Sequence, residues 1–113
     1  MKIYHNPRCG KSRQTLKLIQ ESGTQTEVVE YLKNPPTATE LDRLLQALGM
    51  EPQELMRERE QVYSELGLAG RELTRKQAIQ VMVENPILIE RPIVVKGKKA
   101  VLGRPPENVN ELL

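Results

Sequence analysis

The sequence contains no phenylalanine, no tryptophan and only three tyrosines. Proteins that bind single-stranded nucleic acids commonly stack the bases on several aromatic side chains, so this composition argues against that class. The net charge is +2, from 17 basic and 15 acidic residues. That charge is too small to define a DNA-binding or membrane-binding surface by itself. We therefore expect neither a nucleic acid nor a membrane as a partner.

Cysteine and histidine are equally scarce, with one residue of each, Cys9 and His5. A single cysteine excludes an internal disulfide, and with it the class of disulfide-stapled secreted scaffolds. The two residues cannot supply the ligand set of a zinc site, so we expect no bound metal. No stretch approaches the ~20 apolar residues of a membrane span, and the N-terminus lacks the apolar run of a signal peptide. These absences predict a protein of the reducing cytoplasm.

The chain does contain enough aliphatic residues for one hydrophobic core. Leu, Ile and Val together account for 30 of the 113 residues, a share too high for a disordered chain. The length fits a single domain, 1–113, and leaves no room for a second one. Periodicity, capping patterns and turn residues predict the order β-α-β, several helices, then β-β-α.

The first part of that order is a β-α-β unit, with strands at 2–5 and 27–32 and a helix from 10 or 11 to 22. Such a unit predicts a parallel strand pair with a right-handed crossover. Residues 93–95 and 100–102 flank a turn that contains glycine, which is typical of a β-hairpin. The prediction is an α/β fold with a mixed four-stranded sheet flanked by helices.

Between the second and third strands we predict a helical insertion at about 34–85, with the core at about 1–33 and 86–113. Two Thr-x-x-Glu/Gln capping patterns, at 37–40 and 74–77, predict helix starts within it. Short helices after Pro52 and around 62–66, and a last helix at 107–113, complete the prediction. The first capping pattern is followed by leucines at i, i+3, i+4 and i+7, the clearest amphipathic helix in the chain.

Cys9 lies between the first strand and the first helix, in a segment of 20 residues that contains no acid. A thiol at this position faces unpaired backbone N–H groups and the positive end of the helix dipole. Arg8, Lys11 and Arg13 add positive charge nearby, and such surroundings lower the pKa of a cysteine. The thiolate is the nucleophilic form. A buried structural cysteine is the alternative, but three cations argue against it.

Ser12 completes a Cys-x-x-Ser pattern. Its hydroxyl can donate a hydrogen bond to the sulfur of Cys9 but cannot form a disulfide with it, so a redox cycle needs a thiol from another molecule. Ser12 also suits the first turn of a helix as a capping residue. His5 is either a strand-end residue or an indirect support for Cys9.

Three arginines are candidates for binding an oxyanion. Arg91 lies between two apolar runs, Arg104 follows the hairpin, and Arg57 follows a short helix. The planar guanidinium binds two oxygens at once, which suits oxyanions. Each arginine taken alone can equally be solvated or salt-bridged, and for Arg57 the neighbouring Glu58 and Glu60 favour that interpretation.

The segment 5–13, which reads His-Asn-Pro-x-Cys-Gly-x-Ser-Arg, resembles the active-site segment of the glutathione/glutaredoxin-coupled arsenate reductase family. Segments 90–95 and 103–105 resemble the same family, as do 31–36 and 66–68, so the match covers essentially the whole chain. The resemblance implies a thioredoxin-like fold with a helical insertion. It also implies a cis proline facing the active site, which would be Pro92.

Matching the family residue by residue makes Cys9 the catalytic cysteine and Arg57, Arg91 and Arg104 the oxyanion-binding arginines. The supporting histidine would be His5. The resemblance implies reduction of arsenate to arsenite through a thiol–arsenate adduct on the cysteine, as in arsenic detoxification. Glutathione would act as co-substrate and glutaredoxin as partner, with no metal or organic cofactor bound.

Two alternatives remain open. The first is a glutathione-dependent thiol/disulfide reductase that acts on another substrate. The second is a non-enzymatic, RNA polymerase-binding regulator of the same fold. Regulators that sense oxidation use a Cys-x-x-Cys switch, which Ser12 removes here. Three retained arginines favour an oxyanion enzyme, since a polymerase-binding module has no need of them.

Overall fold

The computed structural model describes all residues from 1 to 113. The residues form two compact units, one made of Met1–Asn34 and Arg91–Leu113 and the other of Pro35–Glu90. The strands and helices follow in chain order: β1 (Lys2–His5), α1 (Gly10–Glu21), β2 (Glu27–Glu30), α2 (Ala38–Leu48), α3 (Pro52–Leu55), α4 (Gln61–Glu65), α5 (Arg75–Glu84), a 3-10 helix (Pro86–Leu88), β3 (Ile93–Lys96), β4 (Lys99–Leu102) and a second 3-10 helix (Pro106–Leu112). None of these helices is both long enough and apolar enough to cross a membrane.

The first unit contains a four-stranded sheet in the order β2-β1-β3-β4. β1 pairs with β2 in parallel and with β3 antiparallel, and β3 continues into β4 as a hairpin. Ile3 pairs with Val28 on one side and Val94 on the other. Both Ile3 and Val94 are fully buried, because α1 and the C-terminal 3-10 helix cover the face of the sheet on which they lie. The predicted mixed four-stranded α/β sheet is confirmed.

The core of the first unit joins the sheet to α1 and to the C-terminal 3-10 helix. Its buried members are aliphatic and come from all three of these parts: Ile3, Ile19, Val94, Val109 and Leu112. Burial of an aliphatic side chain contributes roughly 1.5–3 kcal/mol, so this cluster stabilises α1 against the sheet. That packing fixes the direction in which the N-terminus of α1 points.

The second strand is shorter than predicted. Its sequence pattern extends to residue 32, but β2 ends at Glu30. The N–H groups of Lys33 and Asn34 both donate to the Glu30 carbonyl oxygen, at 3.0 Å each. The chain therefore turns at this point, and Tyr31 is buried within the turn rather than in the strand.

The second unit contains the predicted amphipathic helix. Leu41, Leu44 and Leu45 of α2 are buried, as the i, i+3, i+4 spacing indicates. At its start the Thr37 hydroxyl oxygen accepts the Glu40 N–H at 3.1 Å. Thr74 and Gln77 form a complete capping box at the start of α5, so both predicted starts are confirmed.

Backbone hydrogen bonds join the end of α3 to the segment after α5. The Arg57 N–H donates to the Leu88 carbonyl at 2.7 Å, and the Glu90 N–H donates to the Leu55 carbonyl at 2.8 Å. Met56 and Ile89 face each other in an isolated antiparallel bridge. This short ladder holds Arg57 next to Glu90.

The chain contains two cis X-Pro peptide bonds. The Arg91–Pro92 peptide bond is cis, which confirms the expectation drawn from the family resemblance. The Arg104–Pro105 bond is also cis, and no feature of the sequence predicts this. The helix after Pro105 is present as predicted, with 3-10 geometry.

Candidate active site

The backbone around Cys9 holds its side chain at the start of α1. Cys9 is the N-cap of the helix, in an extended conformation, and its carbonyl accepts the Arg13 N–H at 3.0 Å. Its own N–H donates to the Asn6 carbonyl at 3.0 Å, and the Asn6 side-chain oxygen accepts the Arg8 N–H at 3.0 Å. These bonds close a tight loop between β1 and α1, with the free N–H groups of the first turn directed at the thiol.

The thiol of Cys9 is half-buried and ionises more readily than an ordinary cysteine. Burial opposes ionisation, but the pKa is lowered overall. Hydrogen bonds from the backbone N–H groups of Ser12 and Lys11, and the hydrogen bond and charge of Arg91, stabilise the thiolate. The structure thus supports the predicted thiolate, through the helix N-terminus and an arginine distant in sequence.

The side chains of the cations next to Cys9 in sequence are not among the main groups that lower its pKa. The side chains of Arg8, Lys11 and Arg13 are exposed, and the strongest stabilisation of the thiolate comes from other groups. The Arg13 side chain donates instead to the Pro7 carbonyl at 2.9 Å, and this bond stabilises the loop between β1 and α1. A smaller contribution from these three exposed charges to the pKa of Cys9 stays a prediction, because water screens charges at the surface.

Arg91 and Arg104 lie beside the sulfur. Arg104 Nη1 is 3.9 Å from Cys9 Sγ and 3.3 Å from the Arg91 carbonyl oxygen. Arg91 is 8% exposed, so its guanidinium acts in surroundings where charge is screened less than at the surface. The fold therefore brings two of the three predicted arginines to the cysteine.

The position of Arg104 depends on its neighbour, Gly103. A Cβ at residue 103 would lie 2.3 Å from Thr15 Oγ1 and 2.7 Å from Pro92 Cγ. Only glycine fits here, because α1 and the loop at Pro92 approach the backbone on two sides. The Gly103 N–H donates to the Pro92 carbonyl at 2.9 Å, which fixes the loop that carries Arg104.

Ser12 and His5 form a buried pair behind the cysteine. Ser12 Oγ is 2.6 Å from His5 Nδ1 and accepts the Asn6 N–H at 3.0 Å. Burial lowers the pKa of His5, with the charge of Glu30 opposing this shift and that of Arg13 adding to it. In a neutral imidazole Nδ1 accepts only when the proton is on Nε2; we assign this tautomer, in which the Ser12 hydroxyl donates to His5 and its oxygen accepts the Asn6 N–H.

This arrangement differs from the predicted hydrogen bond between the Ser12 hydroxyl and the sulfur. The hydroxyl is turned to His5, and it is the backbone N–H of Ser12 that stabilises the thiolate. His5 is thus coupled to Cys9 through Ser12. Both residues lie near the cysteine with their side chains bonded to each other, and their supporting role stays a prediction.

Arg57 belongs to the second unit, where it pairs with two carboxylates. Its Nε is 3.0 Å from Glu60 Oε1, and its Nη1 donates to Glu90 Oε1. Burial disfavours its charge, yet the two carboxylates raise the pKa of Arg57 above its ordinary value. The salt-bridged interpretation is therefore correct for this side chain, and its oxyanion role stays a prediction.

Two residues of the site were missed at the level of sequence. Thr15 is fully buried, and its hydroxyl donates to the Lys11 carbonyl at 2.8 Å and lies 3.4 Å from the Gly103 carbonyl. Asn6 is buried and organises the loop before Cys9. The Asn-Pro pair pointed to a turn, but no pattern in the sequence indicated that Thr15 meets Gly103.

A thioredoxin-like sheet with one cysteine of lowered pKa at a helix N-terminus, faced by two arginines, defines a class of single-cysteine thiol proteins. Residues 4–112 match the sequence model described as the ArsC family. The chain belongs to the ArsC family.

Individual relatives agree with this assignment. An arsenate reductase of Escherichia coli K12 is 46% identical over 98% of this chain and 79% of its own length. An uncharacterised protein of the same organism, YfgD, is 54% identical over all of this chain and 96% of its own. The solved structure of an arsenate reductase from Vibrio cholerae is 46% identical, with a TM-score of 0.94, covering all of this chain and 98% of that one.

Proposed function

We propose that this protein reduces arsenate to arsenite through a covalent thiol–arsenate adduct on Cys9. The observation that carries the proposal is the contact of Arg104 and Arg91 with a cysteine at a helix N-terminus whose pKa is lowered. A nucleophile and two forked cations at one point suit attack on a tetrahedral oxyanion. The arsenate reductase relatives support the same substrate.

In the first step, the Cys9 thiolate forms a bond to arsenic, and one oxygen leaves as water after protonation. Arg91 and Arg104 hold the remaining oxygens and stabilise the negative charge that develops on them. The N–H groups of Lys11 and Ser12 stabilise the thiolate before the attack. Arg57 is proposed as a third oxyanion ligand on the basis of the family resemblance alone.

The electrons come from thiols. Reduction of arsenate to arsenite takes two electrons, so two thiols must become one disulfide while one oxygen leaves as water. The chain has one cysteine, and we propose glutathione and glutaredoxin as the external thiols. Glutathione attacks the adduct, and glutaredoxin takes up the glutathionyl group as arsenite leaves. No metal or bound organic cofactor takes part, and the reducing cytoplasm is the proposed compartment.

The test is arsenate-dependent oxidation of glutathione by the purified protein in the presence of glutaredoxin, with arsenite identified as the product. The matched control is Cys9→Ser, which removes the nucleophile and keeps a hydroxyl of similar size. Arsenite formation by the wild type and none by the variant is the expected result. Equal rates for both proteins would overturn the proposal.

One observation supports a second candidate function. YfgD, more similar to this chain than the arsenate reductase named above, carries no assigned activity. The Cys9 thiolate can also attack a disulfide, which needs no oxyanion site. Glutathione oxidation with a mixed disulfide as substrate, and none with arsenate, would identify a thiol/disulfide reductase instead.

A further inference from the structure

Arg8 and Lys11, which flank Cys9 in sequence, are exposed cations without an ion-pair partner in the chain. Four other surface cations lie within 4.0 Å of a carboxylate, namely Lys2 near Glu27, Lys17 near Glu21, Lys33 near Glu30 and Arg75 near Asp42. Others, such as Arg71, are unpaired like Arg8 and Lys11, but only Arg8 and Lys11 combine this with a position beside the thiol in sequence. No acidic residue precedes Glu21. The surface around the thiol therefore presents positive charge that the protein itself does not neutralise.

Neither the cysteine nor the oxyanion requires this charge. The thiolate is stabilised mainly by backbone N–H groups and Arg91, and the proposed oxyanion ligands near the sulfur are Arg91 and Arg104. Once an arsenate group is bound to Cys9, the site carries the negative charge of the arsenate oxygens. A second reactant that is itself an anion must then approach this charge from solvent.

Arg8 and Lys11 are exposed and lie on either side of Cys9 in sequence, so their charges are available to an anionic reactant from solvent. We propose that these two side chains bind the carboxylates of the thiol co-substrate and so select an anionic thiol over a neutral or cationic one. This inference rests on the proposed function, and it assigns the side of the site to which the external thiol binds.

The chemistry of glutathione fits this placement. Its cysteine is the central residue of a tripeptide, with one carboxylate on each side of the thiol. Arg8 precedes Cys9 in the loop, and Lys11 lies in the first turn of α1 beyond it, so one cation stands on each side of the sulfur along the chain. Exposed ion pairs are weak, so two of them together give selectivity without slow release of product.

The test uses the chain's single cysteine and needs no arsenate. Reduced protein is mixed with an excess of one of three disulfides: glutathione disulfide, which is anionic, hydroxyethyl disulfide, which is neutral, and cystamine, which is cationic. The Cys9 thiolate attacks one sulfur, a new disulfide forms at Cys9 and one thiolate leaves. Intact-mass measurement gives the rate for each disulfide.

We expect the ratio of the glutathione disulfide rate to the hydroxyethyl disulfide rate to fall about fivefold in the double variant Arg8→Gln/Lys11→Gln. The cystamine ratio should rise. Comparing ratios cancels any change in the pKa of Cys9, because a change in thiolate affects all three reactions alike. High salt should reduce the wild-type preference to that of the variant.

Lys17→Gln is the matched control, since it removes one cation from the same helix at about 9 Å further along the axis. It should leave all three rates unchanged. Unchanged ratios in Arg8→Gln/Lys11→Gln would overturn the inference whatever the arsenate assay shows. If the glutathione ratio falls as expected in the double variant but the protein does not reduce arsenate, the anionic-thiol site is supported and arsenate is rejected as the substrate.

Discussion

Cys9 and Arg91 lie in different segments of the chain and meet only in the folded protein, where Arg91 donates a hydrogen bond to the sulfur. Replacing Arg91 by Gln removes the charge and weakens that bond. The pKa of Cys9 should then rise towards the value of an ordinary thiol, and less thiolate should be present at pH 7. The rate of alkylation by iodoacetamide as a function of pH measures this shift directly.

Lys17→Gln provides the control for this measurement, because its charge lies further along α1 and is paired with Glu21. Its alkylation profile should match that of the wild type. A wild-type midpoint at about 8.5, the value of an unperturbed cysteine, would contradict the ionised thiol on which the site depends.

Arg91 and Arg104 also differ from lysine in shape, and this difference can be tested by substitution. Arg91→Lys and Arg104→Lys retain the charge but lose the fork that binds two oxygens of one oxyanion. We expect each to lose about 2 kcal/mol or more of transition-state stabilisation, roughly thirtyfold in kcat/KM for arsenate. The measurement is the glutathione- and glutaredoxin-coupled assay on purified single variants.

Arg71→Lys is the matched control for these substitutions, since Arg71 is exposed and has no ion pair. Arg75 is less suitable, although the sequence alone suggests a solvated residue, because it is 2.8 Å from Asp42. If both active-site variants retain the activity of Arg71→Lys, the oxyanion is not bound by these two arginines.

At the scale of single residues, the sequence predicts the chemical character of a side chain better than it predicts which other residues that side chain contacts. Cys9 at a strand–helix boundary predicts a thiolate, because the N–H groups of a first helical turn are a local property. The approach of Arg91 and Arg104 to the sulfur, and the pairing of Ser12 with His5, depend on segments joined by the sheet. Without the family resemblance, nothing in residue spacing predicts those contacts.

At the scale of elements, α1 lies so close to the loop before Arg104 that, of the glycines in the chain, Gly103 is the one where an added Cβ would clash. In Gly103→Ala the new Cβ would clash with Thr15 and Pro92. Overpacking of this kind costs about 1–3 kcal/mol, so the melting temperature should fall. Because the same loop carries Arg104, kcat/KM should fall as well in the fraction that remains folded.

Gly10→Ala is the control for stability, since its Cβ would meet only the Arg13 side chain, at 3.7 Å. It should unfold at the wild-type temperature or slightly above it, as alanine favours a helix. Adding Thr15→Ala to Gly103→Ala removes two of the three clashing atoms and should recover part of the lost stability. An unaltered melting temperature in Gly103→Ala alone would show that the loop does not depend on this contact.

The elements themselves were predictable wherever a local pattern defines them. Thr37 and Thr74 begin helices because their side chains accept N–H groups within the same turn. The end of β2 at Glu30 was not predictable, since Tyr31 and Leu32 have strand-like side chains and the turn depends on backbone bonds to Glu30. The 3-10 helix at Pro86–Leu88 was missed for a similar reason: Asn85-Pro86 marks only the end of α5.

At the scale of the whole molecule, one cysteine in 113 residues limits what the protein can do alone. A single thiol can form an adduct but cannot release arsenite and regenerate itself without a second thiol, because the two electrons require two sulfur atoms. We therefore expect no steady arsenite formation in the absence of added reductant. Addition of glutathione and glutaredoxin should restore turnover, and intact-mass measurement of the stalled protein should find at most one arsenic adduct per chain.

The measurement for this prediction is the amount of arsenite formed per chain by carefully reduced, desalted protein incubated with arsenate alone. Cys9→Ser with arsenate and glutathione gives the background from direct chemical reduction. Arsenite in excess of one molecule per two chains without added thiol would contradict the prediction, since two chains joined by a Cys9–Cys9 disulfide can supply only two electrons. Such a result would require an electron source other than thiols, and the single cysteine would no longer explain why this protein depends on an external partner.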